Sequence, residues 1–193
     1  IELNKEKKRL AILQAAHEIF ISEGYELTSM DKIAKQAGMT KQTVYRYFPS
    51  KIELFQATLK QVGESLGGDF SAALEIEDNR KALELFAEDF IEFHLTDEHI
   101  AMLRLLIAES PKFPEILESF KTVGPNETMG QLQFFFKDRL NISDPNTHIK
   151  LWVGMLHSLR SGVLMGMEKP NKKQIKNHAK SAADMLLLSL NQK

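Results

Sequence analysis

Apolar residues recur every three or four positions through most of the chain, which is the spacing of one buried face of an α-helix. No segment shows a convincing alternation of apolar and polar residues, the pattern of a half-buried strand. The sequence therefore predicts an all-α protein. Helices are expected over 5–23, from 28 up to Gly38, over 41–47, 51–67, 79–94 and 97–109, from Pro114, over 126–140, from 143–145 to 168, and from Asn171 to 190.

A helix-turn-helix spacing is visible between residues 28 and 51. The apolar positions of its first helix fall at i, i+3, i+4 and i+7, and Thr28 with Asp31 indicates a start resembling a capping box. Gly38 is expected to end this helix because glycine adopts a positive φ without Cβ strain. Thr40 is then expected to cap the second helix.

The second helix has a mostly polar surface. Only Val44 and Phe48, at i and i+4, are expected to face inward. The outward side chains are those of Lys41, Gln42, Thr43, Tyr45, Arg46 and Tyr47. Basic, hydrogen-bonding and aromatic side chains at the start of an exposed helix suit a DNA major groove.

Another helix is expected to begin after Pro49, because Ser50 to Glu53 forms an S-x-x-E capping box. The amino terminus of a helix is electropositive, and Lys51 adds a positive charge there. We therefore expect Lys51 to bind a phosphate group.

These residues resemble the DNA-binding domain of the TetR family of bacterial transcriptional regulators. The resemblance rests on A-x-x-x-F before Gly24, TSMDKIA over 28–34, the Ala-Gly pair at 37–38, and TVYRYFPSKIELF over 43–55. It implies a helix-turn-helix DNA-binding head over 1–50, joined by a fourth helix to a helical ligand-binding and dimerisation body over 51–193. It also assigns the DNA surface to Thr28, Thr40, Lys41, Gln42, Thr43, Tyr45, Arg46, Tyr47 and Lys51, with the direction of Arg46 left open between phosphate and head.

The function implied by the resemblance is that of a homodimeric repressor that binds a palindromic operator and is released by a small inducer. Ligand in the body would move the fourth helix and change the spacing of the two heads. Two alternatives stay open: a DNA-binding regulator with a solid core and no inducer, and a helical enzyme or carrier that has lost DNA binding.

Composition is compatible with this interpretation. The 193 residues carry a net charge of −1, but residues 1–51 hold nine basic against six acidic side chains, a net +3, and residues 52–193 a net −4. The absence of cysteine excludes disulfides and thiolate zinc sites. No apolar run approaches the roughly 20 residues of a membrane span, and no signal-peptide core is visible, so we expect a cytoplasmic protein without a membrane partner.

The expected body is rich in Phe and Met. Each such residue is most simply part of the core of a helical bundle. The resemblance nevertheless implies a cavity, which would bind an apolar or aromatic ligand. The lining is expected to include Phe90, Phe93, Met102, Leu106, Phe120, Phe134, Trp152 and Met155.

A line of small residues runs along the penultimate helix, at Gly154, Ser158, Gly162 and Gly166. Each glycine costs roughly 1 kcal/mol of helix propensity, so close approach of another backbone is expected to offset that cost. We expect this ridge and Leu186 of the last helix to form a four-helix dimer interface, as the resemblance also implies. Packing within one chain is the alternative.

The six histidines do not form a recognisable metal motif. His94 and His99 lie five positions apart across a predicted helix boundary, without an H-E-x-x-H pattern, and His157 is expected to pack or to donate a hydrogen bond. No nucleotide-binding glycine loop and no nucleophile motif is present. The sequence therefore predicts no metal, no cofactor and no enzymatic activity.

Overall fold

The computed structural model describes residues 2–65, 71–123 and 125–190. Within these ranges the chain is helical and contains no strand, as the periodicity predicted. No described helix combines the length and the apolar character needed to cross a bilayer. The helices are α1 (Glu2–Leu27), α2 (Met30–Gln36), α3 (Lys41–Tyr47), α4 (Lys51–Ser65), α5 (Ser71–Leu74), α6 (Asn79–His94), α7 (Asp97–Glu109), α8 (Pro114–Val123), α9 (Pro125–Phe134), α10 (Asn146–Leu164) and α11 (Lys172–Leu190), with a π-helical turn at Phe135–Arg139.

The chain divides into two compact units. The first, here called the head unit, comprises the described parts of 1–66 and 101–124; the second, the body unit, those of 67–100 and 125–193. The expected division at residue 50 therefore does not coincide with the packing, because α4, most of α7 and α8 belong with the head. As a division of functions it remains a prediction.

The head unit is held together by a cluster of aromatic rings. Phe20 and Phe55 are fully buried, with ring centroids 5.0 Å apart, and Tyr25 packs on both. Phe113, just before α8, lies 5.3 Å from Tyr25. Gln56 of α4 also donates to Ser119 of α8 at 3.0 Å. Helix α4 is thus fixed between α1 and α8.

The body unit is built on α6, α10 and α11, which pack against one another. Trp152 is fully buried between Phe86 and Phe136, at ring distances of 5.6 and 5.8 Å. Arg139 ends the π-helical turn and donates to the carbonyls of Leu74 and Glu77. This guanidinium therefore caps the carboxyl end of α5.

Several predicted boundaries are wrong by a few residues. Gly24 does not end α1 but kinks it, with φ 84°, and the chain stays helical to Leu27. The N-cap of α2 is Ser29 rather than Thr28. The helix expected to reach 168 ends at Leu164. The expected end of α4 at 67–68 lies outside the described residues.

Candidate nucleic-acid interface

The turn between α2 and α3 forms as the sequence predicted. Gly38 has φ 64°, a left-handed conformation that favours glycine, and its amide donates to the carbonyl of Lys35. The Thr40 hydroxyl accepts from the amide of Thr43 at 3.2 Å and so caps α3. Val44 and Phe48 are buried in the head. Local backbone geometry and two apolar side chains therefore fix the orientation of α3.

The opposite surface of α3, here called the α3 face, consists of Thr40, Lys41, Gln42, Thr43, Tyr45, Arg46 and Tyr47. Thr43 and Tyr47 are half-buried and the other five are exposed. No acidic residue occurs between 40 and 47. This combination of donors, acceptors, aromatic rings and two cations can bind phosphates and base edges.

Contacts within the α3 face preorganise it. The Lys41 ammonium lies 2.9 Å from a carboxylate oxygen of Asp31, which raises the pKa of Lys41 by hydrogen bond and charge. The Arg46 guanidinium lies 5.8 Å from the centre of the Tyr47 ring. Arg46 is therefore exposed beside that ring, and its contact with phosphate remains a prediction.

Two residues expected at the DNA surface are used inside the head instead. Thr28 is 3% exposed and its hydroxyl donates to the carbonyl of Gly24 at 2.6 Å. The Lys51 ammonium donates to the carbonyls of Tyr25 at 2.8 Å and Thr28 at 3.1 Å, and lies 4.4 Å from the Tyr25 ring centre. Burial lowers the pKa of Lys51. Thr28 is therefore buried away from the predicted DNA surface, and the Lys51 ammonium is bound within the head.

The predicted ligand lining does not form one cluster. Phe90, Phe93, Trp152 and Met155 belong to the apolar core of the body unit. Met102, Leu106 and Phe120 pack in the head unit, because α7 continues from one unit into the other and α8 follows it. Phe134 is 68% exposed, so it is not part of either apolar core. The lining by the other seven residues stays a prediction.

The body unit instead brings together polar residues that the sequence did not connect. His94 of α6 lies between His99 of α7 and His157 of α10, with ring centroids 4.6 and 4.9 Å away. The spacing of His94 and His99 was visible in the sequence, but His157 could be found only from the packing of α10. Among the described residues, no group of three or more His, Cys, Asp or Glu side chains could hold a metal ion.

The predicted dimer ridge is present only in part. Gly154 and Ser158 are exposed on α10, and Gly162 is half-buried. Gly166 lies beyond the helix with φ 93° and closes its carboxyl end, so it does not continue the ridge. Leu186 is buried in the core of its own chain and is not available to a partner. The apolar residues that are exposed along α10, the turn after it and α11 are Leu151, Met165, Met167, Met185 and Leu188.

The comparisons with known proteins agree with one another on the family. The family "Bacterial regulatory proteins, tetR family" matches residues 12–58, and "AefR-like transcriptional repressor, C-terminal domain" matches residues 81–189, more than half of the chain. The transcriptional activator FasR of Mycolicibacterium smegmatis is 37% identical over 92 residues, which are 47% of this chain and only 42% of FasR.

Solved structures match over nearly the whole chain. A TetR-family regulator from Mesorhizobium loti has a TM-score of 0.81 and 25% identity, covering 96% of this chain and 97% of its own. The "Flavonoid-responsive Regulator FrrA" has a TM-score of 0.78 and 28% identity, covering 95% and 97%. Both likenesses include the head and the body.

Proposed function

Because the chain belongs to the TetR family of bacterial transcriptional regulators, we propose that it binds a palindromic DNA operator as a homodimer and is released by a small aromatic inducer. It is a regulator and not an enzyme, as the sequence predicted. DNA binding also implies the cytoplasm. The observation that supports operator binding best is the α3 face, a fixed polar and basic helix surface without a carboxylate.

The proposed DNA contacts follow from side-chain chemistry. Gln42, exposed in the first turn of α3, can bind N6 and N7 of adenine in the major groove. The methyl group of Thr43 can meet a thymine methyl group, while Tyr45, Tyr47 and Arg46 are placed for phosphates. Two such helices would occupy major grooves roughly 34 to 36 Å apart.

We propose that the protein represses transcription rather than activating it. The family that matches the body is described as AefR-like repressors, although FasR is named an activator. A repressor is expected to bind its operator without ligand and to leave it when ligand is added, whereas an activator would increase transcription from the bound site.

The experiment that tests operator binding is a footprint of the DNA upstream of the protein's own gene. We expect two protected half-sites with inverted symmetry, whose binding weakens steeply with salt. Failure to bind any such fragment, even at low salt, would contradict the proposal.

The homodimer is supported by the exposed apolar side chains of α10 and α11. Leu151, Met185 and Leu188 are each more than 60% exposed on two helices that pack together, and exposed apolar patches can mark contacts between proteins. A second copy of the chain would cover them. Gly162 is a poor site for a test, because a Cβ there would lie 3.0 Å from the sulfur of Met167 in the same chain.

Sedimentation of Leu151→Glu tests this interface. We expect the variant to sediment as a monomer, since a carboxylate cannot be buried there without a partner. Leu27→Glu is the matched control, because Leu27 is equally exposed but lies on α1, in the head unit. A Leu151→Glu protein that remains a dimer would exclude this interface.

An aromatic inducer is proposed from the ring-rich body core and from FrrA, whose name describes it as flavonoid-responsive. We propose α7 as the element that transmits ligand binding. It carries His99 near its start, while the carboxylate of Glu109 at its end accepts from the amide of Glu26 at 3.3 Å. Ligand acts only through its preference for one of two arrangements of these helices.

A further inference from the structure

Three histidines from three different helices meet in the body unit. His94 ends α6, His99 lies in the first turns of α7, and His157 lies in the middle of α10. The ring centroid of Phe90 lies 4.0 Å from that of His94, in a tilted arrangement, and 5.1 Å from that of His157, while the Phe93 and His99 centroids lie 5.2 Å apart. The cluster therefore has two phenyl rings beside its imidazoles.

The hydrogen bonding of the three rings differs. Nδ1 of His94 lies 2.7 Å from the carbonyl oxygen of Phe90, so this nitrogen carries the hydrogen. Nε2 of His99 and Nε2 of His157 are buried and have no hydrogen-bond partner among the described residues. Buried polar atoms without partners are rare in folded proteins and call for an explanation. Two of them, on rings that flank the same third ring, indicate a site for a polar group.

The charge at this site is positive. Arg160 follows His157 by one turn of α10, is half-buried, and forms no ion pair with any residue that the structure describes. Burial, with smaller contributions from neighbouring histidines and from the charge of Arg160, lowers the pKa of His94 to about 2 and the pKa values of His99 and His157 to about 4. The imidazoles are therefore neutral near pH 7, and the guanidinium is the cation of the cluster.

We propose that His99, His157 and Arg160 bind the carboxylate of a small aromatic acid, whose ring packs against Phe90 and Phe93. A carboxylate accepts several hydrogen bonds and matches the planar fork of a guanidinium, while neutral imidazoles donate through Nε2–H. The same cation disfavours a metal ion. The inference rests on the proposed ligand-responsive function and specifies the chemical class of the ligand.

The test is calorimetric titration of the full-length protein with benzoate and trans-cinnamate, each compared with its neutral amide. In the wild type we expect at least one acid to bind, about tenfold more tightly than its amide. Arg160→Gln should weaken the acid about tenfold and leave the amide nearly unchanged. Arg160→Lys, which keeps the charge, should recover part of the affinity.

Lys150→Gln is the matched control, because it removes the same charge from an exposed position of the same helix. It should change the acid's affinity less than twofold. Circular dichroism of each variant checks that it is folded, and imidazole nitrogen NMR should show that the acid shifts the signals of His99 and His157.

The proposal is overturned if neither acid binds at millimolar concentration, if the amides bind as well as the acids, or if Arg160→Gln behaves like Lys150→Gln. Should neutral aromatic molecules release the protein from DNA while acids do not bind, the ligand class is wrong and the proposed function stands. If an acid binds through Arg160 without changing DNA affinity, the site is supported and the inducer mechanism fails.

Discussion

Polar side chains on the α3 face are mostly exposed and several have partners nearby, whereas the body unit buries imidazole nitrogens that have no hydrogen-bond partner among the described residues. On the α3 face, the hydroxyls of Thr40 and Thr43 lie 2.9 Å apart and Lys41 pairs with Asp31. In the body, Nε2 of His99 and of His157 are buried among aromatic rings. The first arrangement supports the proposed DNA contacts, and the second supports the proposed site for a small molecule.

The largest effect is expected from a substitution in the aromatic cluster of the head unit. Phe55 is fully buried against Phe20 and Tyr25, so Phe55→Ala should lower the free energy of unfolding by about 3 to 5 kcal/mol. Chemical denaturation followed by circular dichroism measures this loss. Phe134→Ala, at an exposed ring, should change it by less than about 0.5 kcal/mol. Equal losses would show that the aromatic cluster does not stabilise the head.

A smaller effect is expected at Lys51, where sequence and structure disagree. Removing an ammonium that binds the carbonyls of Tyr25 and Thr28 should cost on the order of 2 kcal/mol of stability in the absence of DNA. The measurement is urea unfolding of Lys51→Ala beside Lys35→Ala, which truncates an exposed lysine of α2. Unchanged stability together with a weaker salt dependence of DNA binding would restore Lys51 as a phosphate contact.

The buried imidazoles predict a pH effect that belongs to the body. An unfolded histidine has a pKa of about 6.5, while burial lowers the folded pKa of His99 and His157 to about 4. Below about pH 6.5 the unfolded state therefore binds more protons, so this stability is present above pH 6.5 and is lost as the pH falls toward 4.

Urea midpoints at pH 7 and pH 5 measure this loss. We expect a lower midpoint at pH 5, and a smaller difference in the His99→Gln, His157→Gln double variant. Arg160, whose charge acts on both rings, stays protonated throughout and cannot itself cause the change. An identical pH dependence in the double variant would show that the two rings are not the cause.

Local signals predicted much of the fold. The bounds of α3, α6 and α7 agree with the prediction, because caps such as Thr40 and an apolar periodicity of 3.6 act within a few residues. The carboxyl end of α10 was missed: Gly166 adopts φ 93°, whereas the sequence pattern places it equally well inside a helix. The predicted turn at Gly38 is therefore confirmed, whereas the predicted helical position of Gly166 is wrong.

The features that the sequence did not predict depend on contacts between residues far apart in the chain. The direction of the Lys51 side chain depends on carbonyls more than 20 positions earlier in the chain. The packing of α8 against α4, which places Phe120 in the head, has no local signature. The meeting of His157 with His94 and His99 likewise depends on the packing of α10. The α3 face could be predicted because one short helix contains nearly all of it.

The most direct test of the account is the affinity of Gln42→Ala for the footprinted operator and for unrelated DNA of the same length, at one salt concentration. Gln42 is exposed on α3 and proposed to bind a base edge, so we expect a loss of about 1 to 3 kcal/mol on the operator and almost none on unrelated DNA. An equal loss on both sequences, or no loss on either, would contradict the claim that the α3 face recognises DNA sequence.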